Sequence, residues 1–173
     1  MKFLNLFQNF NLKKILGLRK KKEAYPELIS DSEKITRVLL YPQHIHKNKG
    51  TLMKSAFRPP AGLDEISVLR HDYSGADFCK EWGRKIESPE NGRNYFGVAC
   101  LRAEEIREVK ADVFYSPQDD NPYHGDIKIG YVPEQGKSLP AEIQLKIDTL
   151  AKKARLYKDS SPTIGGWSGG DII

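Results

Sequence analysis

Residues 123–132, YHGDIKIGYV, form the clearest β-strand pattern in the chain. Apolar and aromatic side chains alternate with polar ones, and a period of two is typical of a strand with one buried face. The polar positions are His124, Asp126 and Lys128. This strand raises the first functional question, which is whether His124 and Asp126 work as a pair or simply face water.

The other sequence patterns predict an α+β domain. Further strands are predicted at 35–41, 65–70, 94–100 and 111–115, which are rich in β-branched and aromatic residues. Two amphipathic helices are also predicted, one capped by Ser74 and Asp77 and one over residues 139–157 with Ser138 as its N-cap. Because strands and helices do not alternate regularly, we expect a mostly antiparallel sheet of about five strands, with both helices on one face.

Positive charge is concentrated at the N-terminus. Residues 1–30 contain seven basic and two acidic residues, and since the whole chain has 28 and 23, the remainder has 21 of each. We therefore divide the chain into a basic amphipathic arm with its linker (1–30), a single α+β domain (31–158) and a Gly/Ser-rich tail (159–173). A neutral body argues against general nucleic-acid binding, which needs a basic face.

The first 22 residues, MKFLNLFQNFNLKKILGLRKKK, contain no acid and predict an amphipathic N-terminal helix. Such a helix is suited to docking on a protein partner or lying on an anionic membrane surface, and it is equally suited to packing on its own domain. Nucleic acid is not the favoured partner. The residues expected to bind a partner are Phe3, Phe7, Phe10, Lys13, Lys14, Arg19, Lys20, Lys21 and Lys22.

Composition limits the compartment and the cofactors. Cys79 and Cys100 are the only cysteines and form no Cys-x-x-Cys motif, which predicts reduced thiols in a cytoplasmic protein, with a peripheral membrane position left open by the arm. No apolar run approaches the ~20 residues of a membrane-spanning helix. No Gly-rich stretch follows a strand and opens a helix, so no phosphate loop and no cofactor is predicted.

The histidines and arginines carry the possible chemistry. A metal-independent phosphodiesterase or ribonuclease needs a general base, an acid and cations that hold the phosphate. His124 and His71 would supply the imidazoles, Asp126 would orient one of them, and Arg58 and Arg70 would bind the phosphate. The simpler interpretation is that the histidines are hydrogen-bonded or solvent-facing and that the arginines pair with nearby carboxylates.

A metal site is a further alternative. His44 and His46 form a His-x-His motif in a long predicted loop (43–63), and zinc or iron would need further ligands such as His71 or His124. No established metal-binding spacing, such as His-Glu-x-x-His, is present. We therefore predict no metal site.

Several short motifs of the chain resemble those of small uncharacterised bacterial proteins: LYPQHI, AFRPP, EISVLR, YHGDI and SPTIGGW. In those proteins an Arg/Pro loop precedes a short Ser-Val strand, and a strand with the pattern His-x-[AG]-x-Ile follows. The resemblance extends from Leu40 to Trp167 and does not include the first 30 residues. It implies a bacterial cytoplasmic protein whose body is one unit, and it implies no activity.

The sequence as a whole favours a non-enzymatic binding or accessory protein. The folded body would recognise a protein or an anionic ligand, and the basic arm would attach it to a partner assembly or a membrane surface. The alternative is a small metal-independent phosphodiesterase or ribonuclease-like enzyme that uses His124, His71 and Arg58.

Overall fold

The computed structural model describes residues 25–173, so the predicted N-terminal helix lies outside the described residues. The described chain has an α+β fold with one antiparallel sheet and two main helices, which confirms the predicted class. The sheet has six strands rather than about five, in the order β4-β5-β2-β1-β3-β6. The elements are β1 (Lys34–Tyr41), β2 (Ile66–Arg70), α1 (His71–Ile86), β3 (Asn94–Arg102), α2 (Ala103–Arg107), β4 (Asp112–Tyr115), β5 (His124–Lys128), α3 (Ala141–Lys153) and β6 (Arg155–Lys158).

The apolar stretch ITRVLLY lies in β1, at the centre of the sheet. A short continuous apolar run is typical of a strand that is buried on both faces. β1 pairs with β3 along its whole length but with β2 only through Ile35 and Thr36. Beyond that point Arg37 Nη1 donates to the Ser67 carbonyl oxygen at 2.5 Å. The arginine side chain thus bonds a β2 carbonyl that β1 does not pair with.

The two main helices lie on opposite faces of the sheet, so the prediction that both cover one face is wrong. α3 packs through Ile147 and Leu150 on the larger core, which includes Leu39 of β1. α1 packs through Cys79 on a second core, which includes Val38. Neighbouring residues of a strand point to opposite faces, so consecutive apolar residues require a cover on both sides.

α3 ends at Lys153, and the residues that follow it form β6, so the prediction of one helix over 139–157 is wrong at its end. Ala154 has an extended backbone, with φ −65° and ψ 129°. Amphipathic periodicity favoured continuing the helix, but pairing with β3, a contact distant in sequence, overrides that local preference. Pro140, rather than the predicted Ser138, occupies the N-cap of α3.

α1 begins at His71, ahead of the predicted cap at Ser74. Gly75 interrupts the helix with φ 69°, a conformation that favours glycine because it has no Cβ. The predicted capping box does not form. Asp77 Oδ1 instead accepts the backbone N–H of Trp167 at 2.7 Å, so this carboxylate holds the C-terminal segment on α1.

The C-terminal segment, residues 159–173, packs against α1 around the buried Lys80 ammonium. Lys80 Nζ donates to three backbone carbonyl oxygens of residues 161–166 at 2.6 to 2.8 Å and lies 3.1 Å from Asp159 Oδ2. Ile172 is buried in the second core. A buried ammonium needs such partners because removing a charge from water is costly. The Gly/Ser-rich segment is therefore held in one conformation by contacts with the body.

The chain leading into β1 is held on the body by Arg70. The Arg70 guanidinium is 1 % exposed and donates to both Glu33 carboxylate oxygens, at 2.6 and 2.8 Å. It also donates to the Pro26 carbonyl oxygen. The rings of Tyr73 and Tyr115 lie 4.6 and 4.8 Å from its central carbon. This ion pair is shielded from water, so neither charge can be left without the other.

We predict that Glu33→Ala lowers the free energy of unfolding by about 3–5 kcal/mol, because it leaves the Arg70 charge buried and unpaired. Glu27→Ala is the matched control, since Glu27 is exposed in the same segment and should change stability by less than about 0.5 kcal/mol. Urea denaturation of both variants measures the difference. Equal, small losses in the two variants would contradict a structural role for the Arg70–Glu33 pair.

Candidate functional site

His124 and Asp126 lie on the same side of β5, and both are buried rather than facing water. Their exposed fractions are 4 % and 7 %. Ser116, just after β4, connects them. Its hydroxyl donates to Asp126 Oδ2 at 2.5 Å and lies 3.0 Å from His124 Nδ1. The two residues that the sequence placed on one strand face therefore belong to one hydrogen-bonded cluster.

The hydrogen bonds indicate where the His124 proton lies. Nδ1 is 2.9 Å from the Ser116 carbonyl oxygen, which can only accept, so Nδ1 carries the proton. The other ring nitrogen, Nε2, faces the Gln118 side-chain amide at 3.4 Å. The Ser116 hydroxyl proton is directed to Asp126. His124 therefore cannot act as a base towards Ser116 in this arrangement, unlike the imidazole of a Ser-His-Asp triad.

The space beside His124 is small. A cavity of about 20 Å³ there is lined by Arg37 and by Trp82 and Ile86 of α1, among other residues. It has room for about one water molecule, whereas ligand pockets usually occupy ~300 Å³ or more. Burial lowers the pKa of Arg37 to about 10, and the Asp126 carboxylate partly offsets that effect, so the guanidinium is charged at neutral pH.

His71 lies in a different environment, at the start of α1. Its Nδ1 is 3.9 Å from Cys79 Sγ, and burial, together with the Lys34 charge, lowers its pKa. Cys79 is fully buried, and burial raises the pKa of its thiol, so the thiol is neutral and lies 3.3 Å from Thr36 Oγ1. No hydrogen bond or ion pair joins His71 to His124 in the part of the chain described.

The two arginines predicted to bind phosphate are also separate from His124. Arg70 is enclosed with Glu33, so it is not open to a ligand. Arg58 is exposed on the α3 side of the sheet, whereas His124 lies beneath α1. The structure thus brings Asp126 to His124, and it does not bring His71, Arg58 or Arg70 to the same point.

His44 and His46 do not form a metal site with other residues. His44 is buried, and its Nδ1 accepts the Leu40 backbone N–H at 3.1 Å. His46 is exposed, and its Nδ1 accepts the Asn48 backbone N–H at 3.3 Å. Among residues 25–173, no group of three or more His, Cys, Asp or Glu side chains is arranged to hold a metal ion.

A groove of about 580 Å³ lies between residues 53–58 and the N-terminal half of α3. Its apolar lining and its cationic lining come from both sides. The apolar residues are Met53, Leu139 and Ile147, and the cations are Lys54, Arg58 and Lys137. We call this feature the Arg58 groove. Its volume lies within the range of about 300–1,000 Å³ typical of small-molecule sites.

The charges of the Arg58 groove are unbalanced. No acidic residue lines it among the described residues. Lys54 Nζ lies 3.6 Å from Asp148 and Lys137 Nζ lies 2.6 Å from Glu134, in exposed ion pairs. Arg58 has no hydrogen-bond or ion-pair partner for its side chain within residues 25–173. An unpaired guanidinium beside apolar side chains is suited to an anion with an apolar part.

Sequence reasoning identified Arg58 but missed the rest of this groove and part of the His124 cluster. Arg58 stands out because the two following prolines stiffen its backbone. Lys137 reaches the groove only through the fold, and no local pattern marks it. Ser116 lies in a predicted turn and carries no signal either. Arg37 has one, because it is a lone charge within the apolar stretch ITRVLLY.

Compared with known proteins, the chain matches no protein-family model, no curated protein and no solved structure at a significant level. No helix within residues 25–173 is both long enough and apolar enough to cross a membrane. Any assignment of function therefore rests on the residues of this chain.

We predict that His44 makes the protein less stable in acid. Burial and the nearby Arg37 charge lower the pKa of His44 to about 3. Below the ordinary value of about 6.5 the unfolded chain takes up a proton that the folded chain does not, so stability falls as pH decreases. The contribution reaches about 1.4 kcal/mol for each pH unit between about 6.5 and 3.

His44→Asn keeps an acceptor for the Leu40 N–H and removes the titrating ring. The free energy of unfolding of this variant should fall less steeply than that of the wild type between about pH 6.5 and pH 4. His46→Asn, two residues away and exposed, should keep the wild-type slope. Urea titrations across this pH range measure both slopes. Identical slopes in the wild type and in His44→Asn would contradict the assignment.

Proposed function

We propose that this protein is a non-enzymatic binding or accessory protein. Its folded body recognises an anionic ligand or an anionic protein surface, and its basic N-terminal residues attach it to a partner assembly or a membrane surface. The observation that carries the proposal is the unpaired Arg58 beside an apolar groove in a body whose charges otherwise balance. Free charge next to apolar surface is typical of recognition sites.

The buried polar residues support a binding role because their atoms are used within the fold. His124 donates to a backbone carbonyl, and Arg70 pairs with Glu33. Cys79 is a buried, neutral thiol. Groups that take part in reactions must reach a substrate with a free nitrogen, oxygen or sulfur. Arg58 has this freedom among the described residues, and it suits binding of an anion better than proton transfer, since arginine stays protonated.

The point at which the arm meets the body supports a separate role for the arm. Tyr25 stacks on Tyr73 and Tyr123, with ring centres 5.1 and 5.2 Å apart, so the body begins at Tyr25. All the partner-binding residues expected in the arm precede this anchor. An arm deletion should therefore end before Tyr25, because a cut at residue 31 would also remove the Pro26 carbonyl that Arg70 uses.

We predict that replacing the lysines at 20–22 by alanine weakens binding of the full chain to phosphatidylserine vesicles by roughly a hundredfold. Each basic residue near such a surface contributes about 1 kcal/mol. The matched control replaces Lys47, Lys49 and Lys152, which are exposed on the body. Vesicle co-sedimentation measures binding, and urea denaturation should give one midpoint for all three proteins. The proteins that co-purify with each form test the alternative, a partner assembly.

Attachment to either vesicles or a co-purifying protein that is lost with the arm lysines supports the proposal. Equal binding by the arm variant and the body control would contradict it, because attachment would then not depend on the arm. Binding that survives high salt would also contradict an electrostatic arm.

The alternative function, a small metal-independent phosphodiesterase or ribonuclease-like enzyme, is supported by the contact of His124 with the Ser116–Asp126 pair. It predicts that His124→Gln and Arg58→Gln each remove phosphodiester cleavage, because one takes away the base and the other the phosphate-binding cation. Cleavage of RNA and of a small phosphodiester, each tested with chelator present, measures this. No cleavage by the wild type, or equal cleavage by the variants, would contradict the enzyme.

A further inference from the structure

We infer that the Arg58 groove binds a small aliphatic carboxylate, with the carboxylate on Arg58 and the hydrocarbon chain along Met53, Leu139 and Ile147. This inference rests on the proposed function and narrows it to one class of ligand. Three features of the groove lead to it, namely its count of free charges, the kind of apolar residue that lines it and its size.

The charge of the ligand follows from the pairing of the three groove cations. Lys54 and Lys137 each have a carboxylate within 4 Å on the outer side of the groove. Arg58 has no such partner among the described residues. One unpaired guanidinium balances one negative charge, and its planar fork binds a carboxylate through two parallel hydrogen bonds. A phosphate dianion would be better matched by two unpaired cations.

The apolar part of the ligand follows from the side chains that would touch it. Met53, Leu139 and Ile147 are aliphatic, and no aromatic residue lines the groove in the described chain. Nucleobases are usually held by stacking on aromatic rings, so a nucleotide is a poor match. The flexible thioether chain of Met53 can adapt to a hydrocarbon chain. Apolar burial contributes about 0.8 kcal/mol for each CH₂ group.

The size and position of the groove fit a free ligand. A volume of about 580 Å³ accommodates a medium-length chain with its head group. Ile147 belongs to the main core of the domain, so the apolar wall of the groove is part of a packed, preformed surface. A preformed surface loses little conformational entropy when it binds.

The test is calorimetric titration of the full chain with octanoate. We expect one octanoate per chain, and Arg58→Gln should weaken binding by about tenfold to a hundredfold, because a charged hydrogen-bond pair is lost. Arg84→Gln is the matched control. Arg84 is an exposed arginine on α1, outside the groove, and this substitution should leave binding unchanged. Urea midpoints of both variants should equal that of the wild type.

Three further ligands separate the head group from the chain. Acetate carries the head group alone and should bind at least tenfold more weakly than octanoate. Octyltrimethylammonium carries a similar chain with the opposite charge and should not compete with octanoate. Octyl phosphate should bind more weakly than octanoate, since only one groove cation is unpaired.

Tight binding of octyl phosphate with weak binding of octanoate would overturn the carboxylate assignment while leaving the proposed anion-binding body standing. Equal binding of acetate and octanoate would overturn the role of the apolar wall. Binding of octanoate that Arg58→Gln does not change would overturn the site. Failure of every anion to bind would overturn both this inference and the anion-binding half of the proposed function.

Discussion

The buried ion pair between Arg70 and Glu33 joins the parts of the fold that meet at the centre of the sheet. Glu33 precedes β1 and Arg70 ends β2, and Arg70 pairs in register with Ile35. The Glu33 carbonyl oxygen also accepts the Ala103 N–H at the start of α2. Pro26, through its carbonyl oxygen, ties the lead-in to the same guanidinium. One charge pair therefore fixes two central strands, a helix start and the point where the arm departs.

This arrangement separates polar groups that hold the fold from polar groups that remain free. Lys80 and Arg70 are buried cations whose donors go to carbonyls and carboxylates of the same chain. His124 is held in the same way by Ser116. Buried polar groups are costly unless satisfied, so these contacts are needed for stability. Arg58 lies outside this scheme, which is why the binding role is assigned to its groove.

The sequence predicted the α+β class and five strand positions, because β-branched and aromatic runs mark strands locally. It did not predict β6, since Arg155–Lys158 continues the helical periodicity of α3 and becomes a strand only through pairing with β3. The Arg58 groove was equally hidden, because Lys137 joins Arg58 only in the folded chain. For His124 and Asp126 the pattern correctly placed both on one face, but burial depends on α1 and on Ser116.

The most direct measurement of ligand recognition is nuclear magnetic resonance of the full chain, with backbone amide shifts followed as octanoate is added. We predict that the largest shifts occur at residues 53–58 and 136–147, the two walls of the Arg58 groove. Shifts centred on His124 and His71 would contradict this prediction, because they would assign ligand recognition to the buried polar residues that we regard as structural.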